Sequence, residues 1–297
     1  MKQWGRIVVI LCLLILGLTA CRPLPEADVQ SAESPQHIVS LGVSNDEMLL
    51  ELVDTNRIAA ISAMPSNLPE AAARVSGRAT TSLESVVAYQ PDLFIGSEWM
   101  SADFIAQVNA AGIRVHLVNT PRSIAEMRQE IRTLGEILHV PQEAAQMNAK
   151  IDASLQHIQQ IVREGIDRGI PAPRVAYYSN MGITGGIGSL FDALCREMQM
   201  TNVAAEAGLR DGEVLSKEQL VALAPDFIVI SGSEYDQDNY QAIDAASLLG
   251  DPSLQTVPAV VNRRICVVDA RHLLSLNRFI LVAGEEIAAY WYAGQGD

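Results

Sequence analysis

Apolar residues between Ile124 and Leu138 fall at Ile124, Met127, Ile131, Leu134 and Leu138, steps of three and four that put them on one face of an α-helix. Ser123 with Glu126 three residues on is the capping-box pattern that opens such a helix. Pro141, whose ring suits a first helical turn but not an interior, breaks the run. A second run, Met147, Ile151, Leu155, Ile158 and Val162, repeats the spacing until Gly165, Gly169, Pro171 and Pro173 stop it. The pattern predicts two consecutive helices, with the second, from Pro141 to about Arg168, acting as a connector.

On either side of the connector, short apolar runs alternate with helical patterns. Ile38 to Gly42, Ile58 to Ile61, Leu93 to Ile95 and Val115 to Val118 read as buried strands. Between them lie a helix capped by Ser44 to Glu47 and carrying Met48, Leu49 and Leu52, a loop from Met64 to Pro69, and helices near 83–89 and 102–111. Past the connector the alternation restarts with strands at Val175 to Tyr178, Phe227 to Ile230 and Ile265 to Val268 and helices near 190–200, 219–224 and 281–292. Such an order predicts α/β layering with parallel sheets covered on both faces. The two halves are also alike in sequence. Shifted by 134 positions, Ser82, Glu84, Val87, Ala88, Pro91, Asp92 and Ser97 fall on Ser216, Glu218, Val221, Ala222, Pro225, Asp226 and Ser231, seven identities in sixteen ungapped positions.

Composition narrows the partners. A formal net charge of −14 over 297 residues excludes the basic footprint that nucleic acid requires. The N-terminus is more specific. Lys2 and Arg6 precede an apolar run from Ile7 to Leu18, the length of a signal-peptide core and short for a membrane span. The run closes on Leu18-Thr19-Ala20-Cys21, which resembles the bacterial lipoprotein box, so cleavage before Cys21 and acylation of its sulfur are expected. Cleavage would leave a mature charge near −16, because Lys2 and Arg6 depart. The expected organisation is a signal peptide at 1–20, a tether at 21–36 with three prolines, an α/β lobe at 37–140, a connecting helix at 141–170 and a second α/β lobe at 171–297. Cys195 and Cys266 lie in apolar contexts and read as small buried hydrophobes.

Signatures of catalysis are weak. The glycine run from Gly182 to Ser189 lacks the lysine and the spacing of a phosphate-binding loop, and no Gly-x-Ser-x-Gly elbow occurs. His37, His116, His139, His157 and His272 show no metal-ligand spacing. Neither an enzyme nor a resident metal site is expected.

Taken together, the Ile38-to-Asn45 segment, the helix–Pro91-Asp92–strand unit, the helical connector and the Ser216-to-Ile230 unit resemble the iron-siderophore and cobalamin binding proteins of ABC importers. The resemblance runs from about His37 to the C-terminus. It implies a class III periplasmic-binding-protein fold: two Rossmann-like α/β lobes joined by a single long helix, hinging little, with ligand in the cleft. It implies a permease dimer with its ATPase as partner, docked through one glutamate on each lobe, at positions matching Glu84 and Glu218. The implied cargo is a ferric siderophore or a corrinoid, with haem as an alternative; a structural or signalling lipoprotein without transport is the other reading.

Ligand contacts in such a fold come from loops that follow strands. By that rule the candidates are Met64, Glu98, Trp99, Tyr178, Asn180, Tyr235, Arg271 and His272. Trp99 stands out, because an aromatic ring there can stack on a corrin, a porphyrin or a catechol.

Overall fold

The computed structural model describes residues 33–179, 185–232 and 244–294. Its compact body is Pro35–Asp297; of Met1–Ser34 only Glu33 and Ser34 are described. The expected acylation site Cys21 and the ligand candidates Asn180 and Tyr235 lie outside the described residues.

Two four-stranded sheets are built from the apolar runs. The first lobe runs β1 (Ile38–Ser40), α1 (Val43–Leu52), β2 (Ile58–Ala60), α2 (Pro69–Arg74), α3 (Leu83–Val87), β3 (Leu93–Ser97), α4 (Ala102–Ala110), β4 (Arg114–Val118) and α5 (Ile124–Ile137). The long helix α6 (Pro141–Asp167) follows. The second lobe runs β5 (Arg174–Tyr177), α7 (Leu190–Glu197), β6 (Thr201–Asn202), α8 (Val203–Glu206), α9 (Lys217–Leu223), β7 (Phe227–Ser231), α10 (Ala245–Gly250), α11 (Pro258–Val261), β8 (Ile265–Val268), α12 (Ala270–Leu273) and α13 (Ile280–Tyr292). All strand pairs described are parallel, in the orders β2-β1-β3-β4 and β6-β5-β7-β8.

The two lobes share this strand order, and the repeated residues do the same job in each. Ser82 and Ser216 are N-caps, their hydroxyls accepting from Ser85 N and Gln219 N at 3.2 Å. Asp92 accepts from Gln36 N and His37 N at the entrance to β1, and Asp226 accepts from Arg174 N at 2.8 Å at the entrance to β5. Gln90 and Ala224, equivalent under the same shift, both adopt left-handed backbone (φ 47 and 45) just before the proline that ends the helical turn. The helix–Pro-Asp–strand corner is thus one conformational solution used twice.

One apolar core runs through both lobes. One face of each sheet packs on α6 and α13, through Leu93, Ile95, Ile151, Ile158, Val175, Val229 and Ile287, while the opposite faces hold separate cores. The face of α6 read from its spacing is the buried one, with Met147, Ile151, Ile158 and Val162 all at 2% exposure or less. Gly165 does not stop α6; it lies inside the helix, where a Cβ would stand 2.5 Å from the Tyr292 ring of α13. Cys195 and Cys266 are buried free thiols, and burial pushes Cys266 up to about 12.

Two details differ from expectation, and a third concerns a pair of adjacent tyrosines. Ser44 to Glu47 do not cap α1: the helix starts at Val43 behind Gly42 (φ 113), and Asn45, Asp46 and Glu47 turn inward as buried polar groups. The Ser123 hydroxyl does cap α5, but Glu126 reaches back to Arg122 N and not to the cap residue, so the reciprocal capping box is absent there; Ser216 and Gln219 form a complete one on α9. Tyr177 and Tyr178 point to opposite faces, yet both are core residues, because each face of this sheet is covered.

Candidate functional site

Because every strand of a lobe runs the same way, the loops after the strands gather at one edge, and the loops of the two lobes meet there. Two hollows flank the segment Leu273–Leu276. The larger, about 290 Å³, takes Thr120 and Pro121 from the first lobe and Tyr177, Phe191, Asp211 and Ile280 from the second. The smaller, about 200 Å³, is walled by Gly42, Ser44, Asn45, Ser97 and Trp99 on one side and Ala270, Leu274 and Leu276 on the other. The larger is lined mainly by aliphatic and aromatic carbon, with Ser189, Ser275, Thr120 and Asp211 as its polar side chains.

Trp99 follows β3 at the rim of the smaller hollow and is 65% exposed, an unusual state for the largest apolar side chain. Its loop is pinned from beneath: Glu98 N donates to Val118 O at 3.0 Å and the Glu98 carboxylate accepts from Thr120 N at 2.8 Å. Glu98 is therefore engaged in holding the β3 and β4 loops together. Met64, after β2, is 53% exposed.

Of the other described candidates, Tyr178, Arg271 and His272 are engaged elsewhere. Tyr178 packs with Val203, Leu215, Leu220 and Ile230 in the outer core of the second lobe, where burial raises its phenol pKa. Tyr177 is the tyrosine that reaches the larger hollow, its ring 5.5 Å from that of Phe191. Arg271 closes a forked pair with Asp269, which lies below the ordinary aspartate range chiefly for that reason. His272 Nδ1 sits 2.9 Å from Glu286 Oε1 on α13. Glu84 and Glu218 are exposed in the first turns of α3 and α9. Among the described residues no group of three or more His, Cys, Asp or Glu could hold a metal ion, and no helix is long and apolar enough to cross a membrane.

Beneath the hollows, a polar junction that sequence reading missed ties the lobes. Leu276 N donates to Ser44 Oγ at 3.0 Å, and Asn277 Nδ2 donates to Ser44 O at 3.1 Å and Glu47 Oε2 at 2.8 Å. The other Glu47 oxygen accepts from Asn67 N at 2.6 Å, and Asn67 Nδ2 reaches Arg271 O at 3.1 Å. Arg278 grips Glu51 with Nε and Nη2 at 2.6 and 2.8 Å, and Lys150 of α6 adds a third contact at 2.7 Å. Burial pushes the Glu51 carboxyl up, but Arg278 and Lys150 outweigh it and hold its pKa below the ordinary value. Glu47 and Glu51 of α1 are thus explained: they receive the returning C-terminal segment. Thr120 and Pro121 were also missed, although they follow β4 as Trp99 follows β3, and the same rule would have found them.

The family model described as periplasmic binding protein matches residues 38–272. The uncharacterized ABC transporter substrate-binding lipoprotein YvrC of Bacillus subtilis is 30% identical over 138 residues, 45% of this chain and 44% of its own. The ferric-anguibactin-binding protein FatB of Vibrio anguillarum is 25% identical over 194 residues, 63% of this chain and 59% of its own. The chain thus spans about half the length of the curated relatives it matches. Among solved structures, the periplasmic heme-binding protein RhuT of Roseiflexus matches with a TM-score of 0.72 at 23% identity, over 87% of this chain and 98% of that one. At that identity the likeness speaks to fold alone.

Proposed function

The chain belongs to the periplasmic binding protein family and has the two-lobed class III fold, and from that premise we propose that it is the exported, lipid-anchored solute receptor of an ABC importer. It takes an iron–siderophore complex or a corrinoid into the cleft and delivers it to the permease. The observation that carries this reading is the cleft: carbon-rich walls drawn from both lobes, with Trp99 exposed at the rim, suit the faces of a bulky, partly apolar chelate. The name of FatB, a ferric-anguibactin-binding protein, supports an iron chelate as cargo, and that of YvrC, a lipoprotein, supports an anchor at Cys21.

Haem is the second reading. RhuT carries heme binding in its name, and the ring of Tyr177 lines the larger hollow beside Phe191, an aromatic wall that suits the face of a porphyrin. A thermal-shift screen of the purified protein across ferric siderophores, cobalamin and haemin separates the readings. A cargo present at a hundred times its Kd adds about 2.7 kcal/mol to stability, a shift of several degrees. Stabilisation by none of the three classes would contradict the receptor reading and favour a lipoprotein without transport.

In the same reading Glu84 and Glu218 dock the two lobes onto arginines of the permease, and lobes at 37–140 and 171–297 flank a connecting helix at 141–170. Charge-assisted contacts to arginine are strong and directional. Replacing both glutamates by Ala is expected to leave cargo affinity unchanged and reduce uptake at least tenfold; normal uptake by the double variant would contradict docking.

A further inference from the structure

Glu218 has a neighbour that Glu84 lacks. The residue before it is Lys217, whereas the position equivalent to Lys217 under the 134-residue shift is Leu83. A lysine beside a carboxylate that awaits arginine repels the same arginine and competes for the carboxylate, so the second lobe carries an electrostatic handicap that the first does not.

The fold offsets it. Lys217 Nζ lies 2.6 Å from Asp251 Oδ2, across from α9 on the turn Pro252–Leu254. Asp251 is itself fixed: its other oxygen accepts from Ser253 N at 2.8 Å and Ser253 Oγ at 2.6 Å, and its carbonyl accepts from Gln255 Nε2 at 2.9 Å. The Lys217 ammonium, then the Ser253 hydroxyl and amide, hold the Asp251 carboxyl down at about 2, so it stays ionised at any physiological pH. Asp251 in turn raises the Lys217 pKa. Glu218 takes its own backbone N–H and the Ser216 hydroxyl, which with a lesser pull from the Lys217 charge lower its pKa, and it forms no ion pair among the described residues.

We propose that Asp251 is a positioning residue for docking: by neutralising Lys217 and holding it aside, it presents Glu218 to a cationic partner surface as a net negative group matched to Glu84. This rests on the reading that Glu84 and Glu218 dock on permease arginines. It predicts that the two lobes offer electrostatically equivalent contacts despite unlike neighbours, as a two-fold-related partner requires.

The test measures affinity of the full receptor for its cognate permease–ATPase complex in nanodiscs, at 50 mM and 500 mM salt. Asp251→Asn is expected to weaken docking about threefold to tenfold at low salt, with the gap narrowing at high salt because the charges are exposed. Adding Lys217→Leu, the residue type the first lobe uses, restores affinity, and thermal stability distinguishes any loss of folding. Wild-type docking by Asp251→Asn alongside impaired docking by Glu218→Ala would overturn this inference alone. Failure of Lys217→Leu to rescue would also overturn it, assigning Asp251 a role in turn structure. Wild-type docking by the Glu84→Ala, Glu218→Ala double variant would instead sink the docking reading beneath it.

Discussion

Asp46 is a single carboxyl whose surroundings set a pH dependence of their own. It is buried on α1, with one oxygen accepting from the Ser62 amide and hydroxyl and the Ser40 hydroxyl close by. Burial pushes its pKa up to about 7, against the pull of the Ser40 and Ser62 hydroxyls. Between pH 4 and 7 the folded protein keeps a proton that the unfolded chain has released, so this group's contribution to stability falls as pH rises. The gap from 3.8 to about 7 corresponds to roughly 4 kcal/mol across that window. Asp46→Asn keeps the acceptor, gains a donor and has no proton to lose. Urea melts are therefore expected to show the variant gaining stability relative to the natural protein as pH rises from 4 to 7. A difference that stays flat with pH would contradict a raised Asp46. Residue identities of this sort were only partly legible in sequence. Trp99 was named as a candidate because it follows a strand directly, and the structure leaves it exposed at the rim of the smaller hollow. The choice of Tyr178 over Tyr177 depends on which sheet face borders the hollow, which alternation alone does not reveal.

Elements were more legible where burial is two-sided or periodic. Strands such as Phe227–Ser231 and Leu93–Ser97 are covered on both faces, so they stand out as short apolar runs, and α6 announced its buried stripe by spacing. The two-residue strand Thr201–Asn202 and the one-turn helices Val203–Glu206, Pro258–Val261 and Ala270–Leu273 have no period to read. The role of Gly165 was likewise hidden: a glycine in a helical run reads as a stop, but here it admits the ring of Tyr292 from a helix more than a hundred residues away in sequence. Gly165→Ala is expected to favour the isolated helix yet destabilise the protein by about 1–3 kcal/mol through overpacking. A stabilised variant in denaturant melts would show that α6 and α13 can separate without cost.

At the scale of the molecule, the chain crosses between the lobes through α6, and the C-terminal segment then returns to the first lobe at Ser44, Glu47 and Glu51. Asn277 and Glu47 lie 230 positions apart, which is why the junction could not be read from local pattern. Two ties, one covalent and apolar and one polar, make the lobes a stiffer pair than a single helix would. Arg278→Ala leaves the Glu51 carboxylate with Lys150 alone and is expected to cost about 1–3 kcal/mol. Because Glu51 titrates below the ordinary value of 4.5, the pair's contribution is present above that pH and is lost as pH falls. The stability gap between Arg278→Ala and the natural protein should thus close in acid; a gap that persists would mean that Arg278 acts through its guanidinium stacked over the Phe279 ring, 4.2 Å from the centroid.

Cargo in the cleft is the central claim, and Trp99 reports on it. Of the three tryptophans, Trp4 lies in the segment expected to be cleaved and Trp291 packs against Phe227 at the far end of the second lobe. The direct measurement is fluorescence of the mature Trp291→Phe protein titrated with ferric siderophores, cobalamin and haemin, all absorbing chromophores. Saturable quenching of Trp99 by one class, unaffected in extent by Glu84→Ala and Glu218→Ala, is the predicted result. Emission that falls only linearly with every chelate, as collisional quenching does, would contradict a cargo site at this cleft.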